Sequence, residues 1–239
     1  MRKPILVLIA VVLFLLLALD RVGLMIAEQQ IAKRVKTAQN LQSSPDVSIK
    51  GFPFLTQVIS GHYAQMDVTV RDVTRNGLTV DRLQVSAHGV IVPLGQVISG
   101  KVKEVSVDRA EATVSIGFAN LNKYIARHVP GGVLTVSGAG DKLKLTGTLP
   151  FPPGIAMSVE TRIDVSSNSL TLRPASVDTA LSMIPGGQAL RAVVEQFFTV
   201  KLPISQLPFG ISLKQATVVN DAIVIAASAT GLTFRNPSG

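Results

Sequence analysis

An unbroken apolar run from Ile5 to Leu19, led by Arg2 and Lys3 and closed by Asp20, constrains this chain more than any other feature. As a helix the run is about 22 Å long, short of the roughly 30 Å hydrocarbon core of a bilayer. Val22 to Ala27 extend it if Arg21 snorkels toward the headgroups. A charged start followed by an apolar stretch is the pattern of an export signal, and cations ahead of the run favour a cytoplasmic N-terminus with the remainder exported. No clear Ala-x-Ala follows the run and no Gly or Pro breaks it, so a cleaved signal peptide and a retained anchor both fit. Residues 1–22 are therefore expected to be signal or anchor, and residues 23–239 an exported domain. The expected location is the periplasm or the outer face of the cytoplasmic membrane.

Leu24, Ala27, Ile31, Val35, Ala38 and Leu41 then recur at spacings of three and four, with Glu28, Gln30, Lys33, Arg34 and Lys36 on other faces. This predicts an amphipathic helix that ends at Ser43-Ser44-Pro45. Its Ala-rich apolar face suits docking on a sheet better than lying in a headgroup layer. From Ser48 the period drops to two, as in half-buried antiparallel strands. Residues 47–70 read as strand, apolar loop, strand, because Pro53 has no ladder donor and Gly51 and Gly61 permit unusual backbone. Phe52, Phe54 and Leu55 sit on that loop, either as a plug folded onto the core or as the edge of an apolar cavity.

Further hairpins are predicted around Asn76-Gly77, Gly138 to Asp141, Ser167-Asn168 and Asn220-Asp221. Phe118, Leu121, Ile125 and Val129 keep helical spacing up to Pro130-Gly131-Gly132, and Leu190, Val194, Phe197 and Phe198 form another amphipathic helix. Sheet, helix, sheet, helix, sheet with hairpin connections is an antiparallel α+β order, expected as one elongated domain. No exact short-period repeat is evident. Gly51-Phe52-Pro53-Phe54, Leu149 to Gly154 around Phe151, and Leu207-Pro208-Phe209-Gly210 each set Phe beside Pro and Gly at a strand boundary, as ordinary turns or as one greasy rim.

Composition and motifs exclude several chemistries. The chain is 47% hydrophobic but only 5% aromatic with no Trp, which weakens any reading as a single-strand nucleic-acid binder. Its net charge of +8 is dispersed rather than gathered in a run, consistent with weak attraction to anionic membrane surfaces. There is no Cys for disulfides or thiolate metal sites. Gly95 to Lys101 fits the start of a phosphate-binding loop, but Val102 stands where Mg²⁺ ligation needs a hydroxyl, and a strand connection is expected there. His62, His88 and His128 lack metal-ligand spacing, Gly-x-Ser-x-Gly is absent, and Asp67, Asp72, Asp81 and Glu160 fall at turns or on polar strand faces. No catalytic residue, metal or cofactor is expected.

The block Gly51-Phe52-Pro53-Phe54-Leu55-Thr56-Gln57 with the later Gly61-His62-Tyr63, then Asn76-Gly77-Leu78 before a strand and Leu207-Pro208-Phe209-Gly210 before the closing hairpin, resembles the LmeA-like family of actinobacterial envelope proteins. The resemblance spans Val47 to Phe234. It implies phospholipid binding, support of mannan-chain elongation in lipomannan, and a tubular lipid-binding-like fold, a curled antiparallel sheet wrapped around a long amphipathic helix. The expected partners are phospholipid or lipid-linked glycan and the membrane surface, with membrane glycosyltransferases as further candidates. Candidate lipid-contacting residues are Phe52, Phe54, Leu55, Phe118, Leu121, Ile125, Phe151, Phe197, Phe198 and Phe209. An apolar trough suffices for acyl chains, since each buried methylene is worth about 0.8 kcal/mol. A non-enzymatic scaffold for glycosyltransferases and a carboxylate-dependent envelope hydrolase are the competing functions.

Overall fold

The computed structural model describes residues 2–100, 102–128, 134–140, 142–149, 154–166, 169–175, 187–203 and 212–235. In chain order the elements are α1 (Arg2–Ala38), β1 (Asp46–Lys50), α2 (Phe54–Ser60), β2 (His62–Arg75), β3 (Leu78–Ile91), α3 (Leu94–Ser99), β4 (Glu104–Gly117) and α4 (Phe118–His128). They continue as β5 (Thr135–Ala139), β6 (Lys142–Leu149), β7 (Ile155–Val165), β8 (Ser169–Pro174), α5 (Gly187–Phe197), β9 (Val200–Pro203), β10 (Ser212–Val219) and β11 (Ala222–Arg235). The chain is α+β, with a long N-terminal helix and two sheets that do not close into barrels. Their strand orders are β1-β2-β3-β4-β11-β10 and β5-β6-β7-β8-β9. Tertiary contacts divide it into two compact units. Unit 1 comprises residues 1–70, 84–111 and 229–239, and unit 2 comprises residues 71–83 and 112–228.

In unit 1, α1 is one uninterrupted helix through the residue 22 boundary. Its Leu24, Ala27 and Ile31 pack on a core of Ile49, Phe54, Tyr63, Val90, Val92 and Val107, so the amphipathic segment docks as its spacing predicts. Glu28 departs from expectation. It turns toward the edge strand β1, where its Oε1 accepts the Ile49 N–H at 2.8 Å. That bond engages a donor on a strand that has only β2 as a neighbour in the sheet. The expected loop after β1 is instead the short helix α2, entered through a cis Phe52-Pro53 bond. The β3-to-β4 connection is likewise a short helix, α3, rather than a plain loop, and Gly95 lies inside it instead of in a loop preceding a helix. This removes the phosphate-loop geometry for a second reason.

Unit 2 is sealed. Leu121, Ile125, Leu143, Leu145, Leu170, Leu172, Val194, Phe198, Leu202, Ile223 and Ile225 are all fully buried. Alternation in β6 is complete, with every second residue inside, and its register sets Leu145 opposite both Val136 of β5 and Val159 of β7. The hairpin from β2 to β3 turns on Asn76 and Gly77, both at positive φ, as a type I′ turn requires. Asp81 holds the junction of β4 with α4, accepting from Gly117 N–H at 2.6 Å and Asn120 Nδ2 at 3.0 Å. Asn122 latches α4 to β5, accepting Val136 N–H at 2.6 Å and donating to Val136 O at 3.0 Å. Because β5 is an edge strand, Asn122→Ala leaves two partly buried backbone groups without partners. It is expected to destabilise the chain by about 2–4 kcal/mol, read as a lower denaturation midpoint at unchanged denaturant slope, and Asn122→Asp is expected to give no rescue, because its carboxylate cannot donate to Val136 O.

Candidate functional site

The exposed apolar stretch of α1 meets folded unit 1 at Asp20. All of residues 5–19 are exposed, whereas Asp20 is 2% exposed. Its Oδ1 accepts Leu55 N–H at 2.8 Å, satisfying one donor that the first turn of α2 leaves free, since Pro53 supplies no side-chain cap. The other oxygen, Oδ2, is buried with no partner among the described residues. Next to it, the Arg21 guanidinium lies 5.1 Å from the centre of the Phe52 ring, a cation–π arrangement. Beyond Arg21 the outer side of α1 stays apolar and exposed at Val22, Met25 and Ile26.

One end of the six-stranded sheet gathers here. Lys50 at the finish of β1 pairs with Gln65 near the start of β2, Val92 after β3 donates to Gly61 O at 2.8 Å, and Arg235 at the finish of β11 lies 3.5 Å from Glu104 at the start of β4. The helices α2 and α3 bridge strands at this end, and they share an identical five-residue sequence, Gln-Val-Ile-Ser-Gly at 57–61 and 96–100. Each copy does the same work. The Gln amide oxygen accepts from the following strand, from Ala64 N–H at 3.1 Å in one and from Lys103 and Glu104 N–H at 2.8 and 3.2 Å in the other. The Ser hydroxyl donates to the Gln carbonyl at 3.1 and 3.3 Å. The Gly takes positive φ, 71° and 67°, and its N–H closes the last turn on the Val carbonyl. In both copies this leaves the Ile pointing out, Ile59 70% and Ile98 77% exposed. The sequence reading missed the recurrence. Comparing the chain with itself at fixed offset finds it.

The candidate residues separate by unit. In unit 1 Phe52 is 58% exposed, Phe54 is 4% exposed with its ring 6.5 Å from that of Tyr63, and Leu55 is half-buried beside Gly23. In unit 2 Phe118, Leu121, Ile125 and Phe198 are buried, with Phe197 half-buried and edge-on to Phe198. Phe151 and Phe209 lie outside the described residues, and with them most of two of the three Phe-Pro-Gly turns. The polar groups singled out in sequence hold structure. Asp67 accepts from Gln65 Nε2 at 2.8 Å, Glu160 pairs with Lys142 at 2.9 Å, and His128 stacks on Tyr124 at 4.2 Å. No group of three metal-ligating side chains occurs among the described residues. An open depression of about 470 Å³ is lined by Lys33, Arg34, Thr37 and Ala38 of α1.

Burial raises the phenol pKa of both tyrosines, Tyr63 and Tyr124, above the ordinary 10.0. The folded state favours the neutral phenol, so this contribution is fully present below pH 10 and is lost as pH rises through the folded values. With only these two Tyr in the chain, tyrosinate absorbance is expected to appear at higher pH in folded than in urea-unfolded protein. Thermal stability is expected to fall in the same alkaline window. Coincident titration of the two states would contradict the burial of both phenols.

The chain is thus an α+β protein whose long first helix is apolar and exposed over residues 5–19, a stretch of the kind that enters a lipid phase, followed by two antiparallel sheets with apolar interiors. Residues 18–228 match the family described as LmeA-like phospholipid-binding, and the chain belongs to that family. No curated protein and no solved structure matches it. Family membership brings phospholipid as the ligand class.

Proposed function

We propose that the chain is an exported, membrane-anchored phospholipid-binding protein of the cell envelope that supports mannan-chain elongation of lipomannan. Residues 1–22 act as the signal or anchor and residues 23–239 as the lipid-binding part, at the outer face of the cytoplasmic membrane. The helix α1 is long and apolar enough, by length and composition, to cross a bilayer. Residues 2–19 correspond to about 27 Å of helix, close to the bilayer core.

The observation that carries the reading is the partly covered apolar surface where α1 meets the core of unit 1, in a chain of a phospholipid-binding family. Around the buried core of unit 1, Leu24, Ala27, Leu55, Met66, Val105 and Phe234 are only partly buried. Partly covered aliphatic surface is what an acyl chain requires. Phe52 and Leu55 are proposed as its edge, with phospholipid or lipid-linked glycan as cargo and membrane glycosyltransferases as the users. The experiment is mass spectrometry of lipid extracted from the purified full chain, with mannan length measured in cells lacking the protein. Phospholipid is expected to co-purify and the mannan to shorten. Lipid-free protein that takes up none from vesicles overturns the binding, and unchanged mannan overturns the role.

A further inference from the structure

We infer that the α2–α3 end of unit 1 is a bilayer-docking face, on which Phe52, Ile59 and Ile98 enter the headgroup layer of an anionic membrane beside the anchor. The inference rests on the anchor reading of α1 and specifies which surface of the folded part lies on the lipid. Its first support is continuity. Exposed apolar residues run along α1 to Leu19 and then continue past the Asp20–Leu55 attachment as Val22, Met25 and Ile26. A bilayer that covers the run therefore reaches the folded unit, where Phe52 is held against Arg21.

The second support is the twin construction. An isoleucine at the end of a short helix, more than two-thirds exposed, buries little apolar surface within the fold, yet an identical five-residue scaffold presents one on each helix at the same end of the sheet. Removing such side chains from water gains free energy only through an external apolar phase. Two isoleucines and a phenylalanine spread over two helices and a turn suit the shallow layer of lipid below the headgroups better than a single socket on a protein.

The third support is charge. Arg21, Lys33, Arg34 and Lys103 are exposed, and Arg34 lies beside Gly100 at the end of α3. The neighbouring acidic groups are engaged within the fold. Asp20 is buried, Glu28 accepts from Ile49, Glu104 faces Arg235, and Asp67 lies 3.9 Å from Lys50. A cationic surround with apolar projections matches an anionic leaflet.

The chain contains no Cys, so single-Cys variants take one polarity-sensitive fluorophore each. The full chain is reconstituted in vesicles of equal phosphatidylglycerol and phosphatidylcholine, labelled in turn at Leu13→Cys, Ile59→Cys, Ile98→Cys and Thr74→Cys. Thr74 is an exposed position at the other end of β2. A nitroxide-bearing lipid serves as quencher. Quenching at 59 and 98 is expected to exceed that at 74 several-fold, and to fall when phosphatidylcholine alone is used. Strong quenching at 13 with 59 and 98 no different from 74 overturns the docking face and leaves the anchor standing. Quenching at 59 and 98 without quenching at 13 supports the face and overturns the anchor. Apolar emission at 59 and 98 that the lipid quencher does not reach assigns the face to a protein partner or a second copy and overturns the inference.

Discussion

Phe54→Ala is expected to cost about 3–5 kcal/mol of stability, whereas Phe52→Ala, two positions away, is expected to cost less than about 1 kcal/mol. Both side chains belong to one Phe-Pro-Phe turn, and the sequence offers no reason to separate them. The structure does. Phe54 is 4% exposed, set among Ile49, Tyr63, Val90 and Val92, so truncation leaves a void in a packed site. Phe52 is 58% exposed and gives up its contact with Arg21 and little else. The order should reverse for docking on the bilayer, where Phe52→Ala lowers the lipid quenching of a fluorophore at position 59 and the folded fraction of Phe54→Ala does not. Urea denaturation of the two variants and lipid quenching in reconstituted vesicles check this. Equal stability losses would mean that both rings are core, and would remove Phe52 from any lipid-facing role.

That pair also marks where sequence reasoning runs out. Strand period, hairpin turns and helix faces were legible because each is written locally. Asn76-Gly77 forms its turn, Ile163 and Val165 lie opposite Leu172 and Leu170, and the three-four spacing from Leu24 to Ile31 gives the docked face of α1. Chain order suggested only hairpin connections, but β11 returns beside β4 to join the first sheet. Such a pairing is set by burial at long separation and leaves no local mark. The two short helices escaped because windows of six or seven residues carry too little period to tell helix from apolar loop. Glu28 escaped because a helical wheel assigns a carboxylate to solvent unless a neighbouring edge strand offers it a donor.

The candidate lipid residues share apolar bulk beside turns and on helix faces, and bulk alone does not distinguish a wall from a lining. Leu121, Ile125 and Phe198 are fully enclosed by their own unit. In unit 1 the aliphatic side chains around α1 are only partly covered. The difference depends on how much of each face its neighbours cover, a property of the assembled fold. The Gln-Val-Ile-Ser-Gly recurrence is legible in the sequence, and only its meaning, one outward isoleucine per copy, depends on the assembled fold.

Shortening the acyl chains of a phospholipid is expected to weaken its binding far more than exchanging its headgroup or raising the salt. Each methylene withdrawn from water contributes about 0.8 kcal/mol, so removing four from one tail costs on the order of 3 kcal/mol, or roughly a hundredfold in affinity if all four were buried. Against this, cations such as Lys33 and Arg34 are exposed, and exposed charges act through water and salt, with attraction screened within about 8 Å at physiological ionic strength. Their share is on the order of 1 kcal/mol per contact at a membrane surface. The measurement is a competition series at fixed headgroup and decreasing chain length, repeated at two salt concentrations with the full chain. A steep dependence on length that is nearly parallel at both salts places the affinity in the tails, in apolar surface of the kind that borders the core of unit 1. If affinity instead follows headgroup and salt while ignoring length, the apolar interior holds no acyl chain, and the protein meets phospholipid only at the membrane surface.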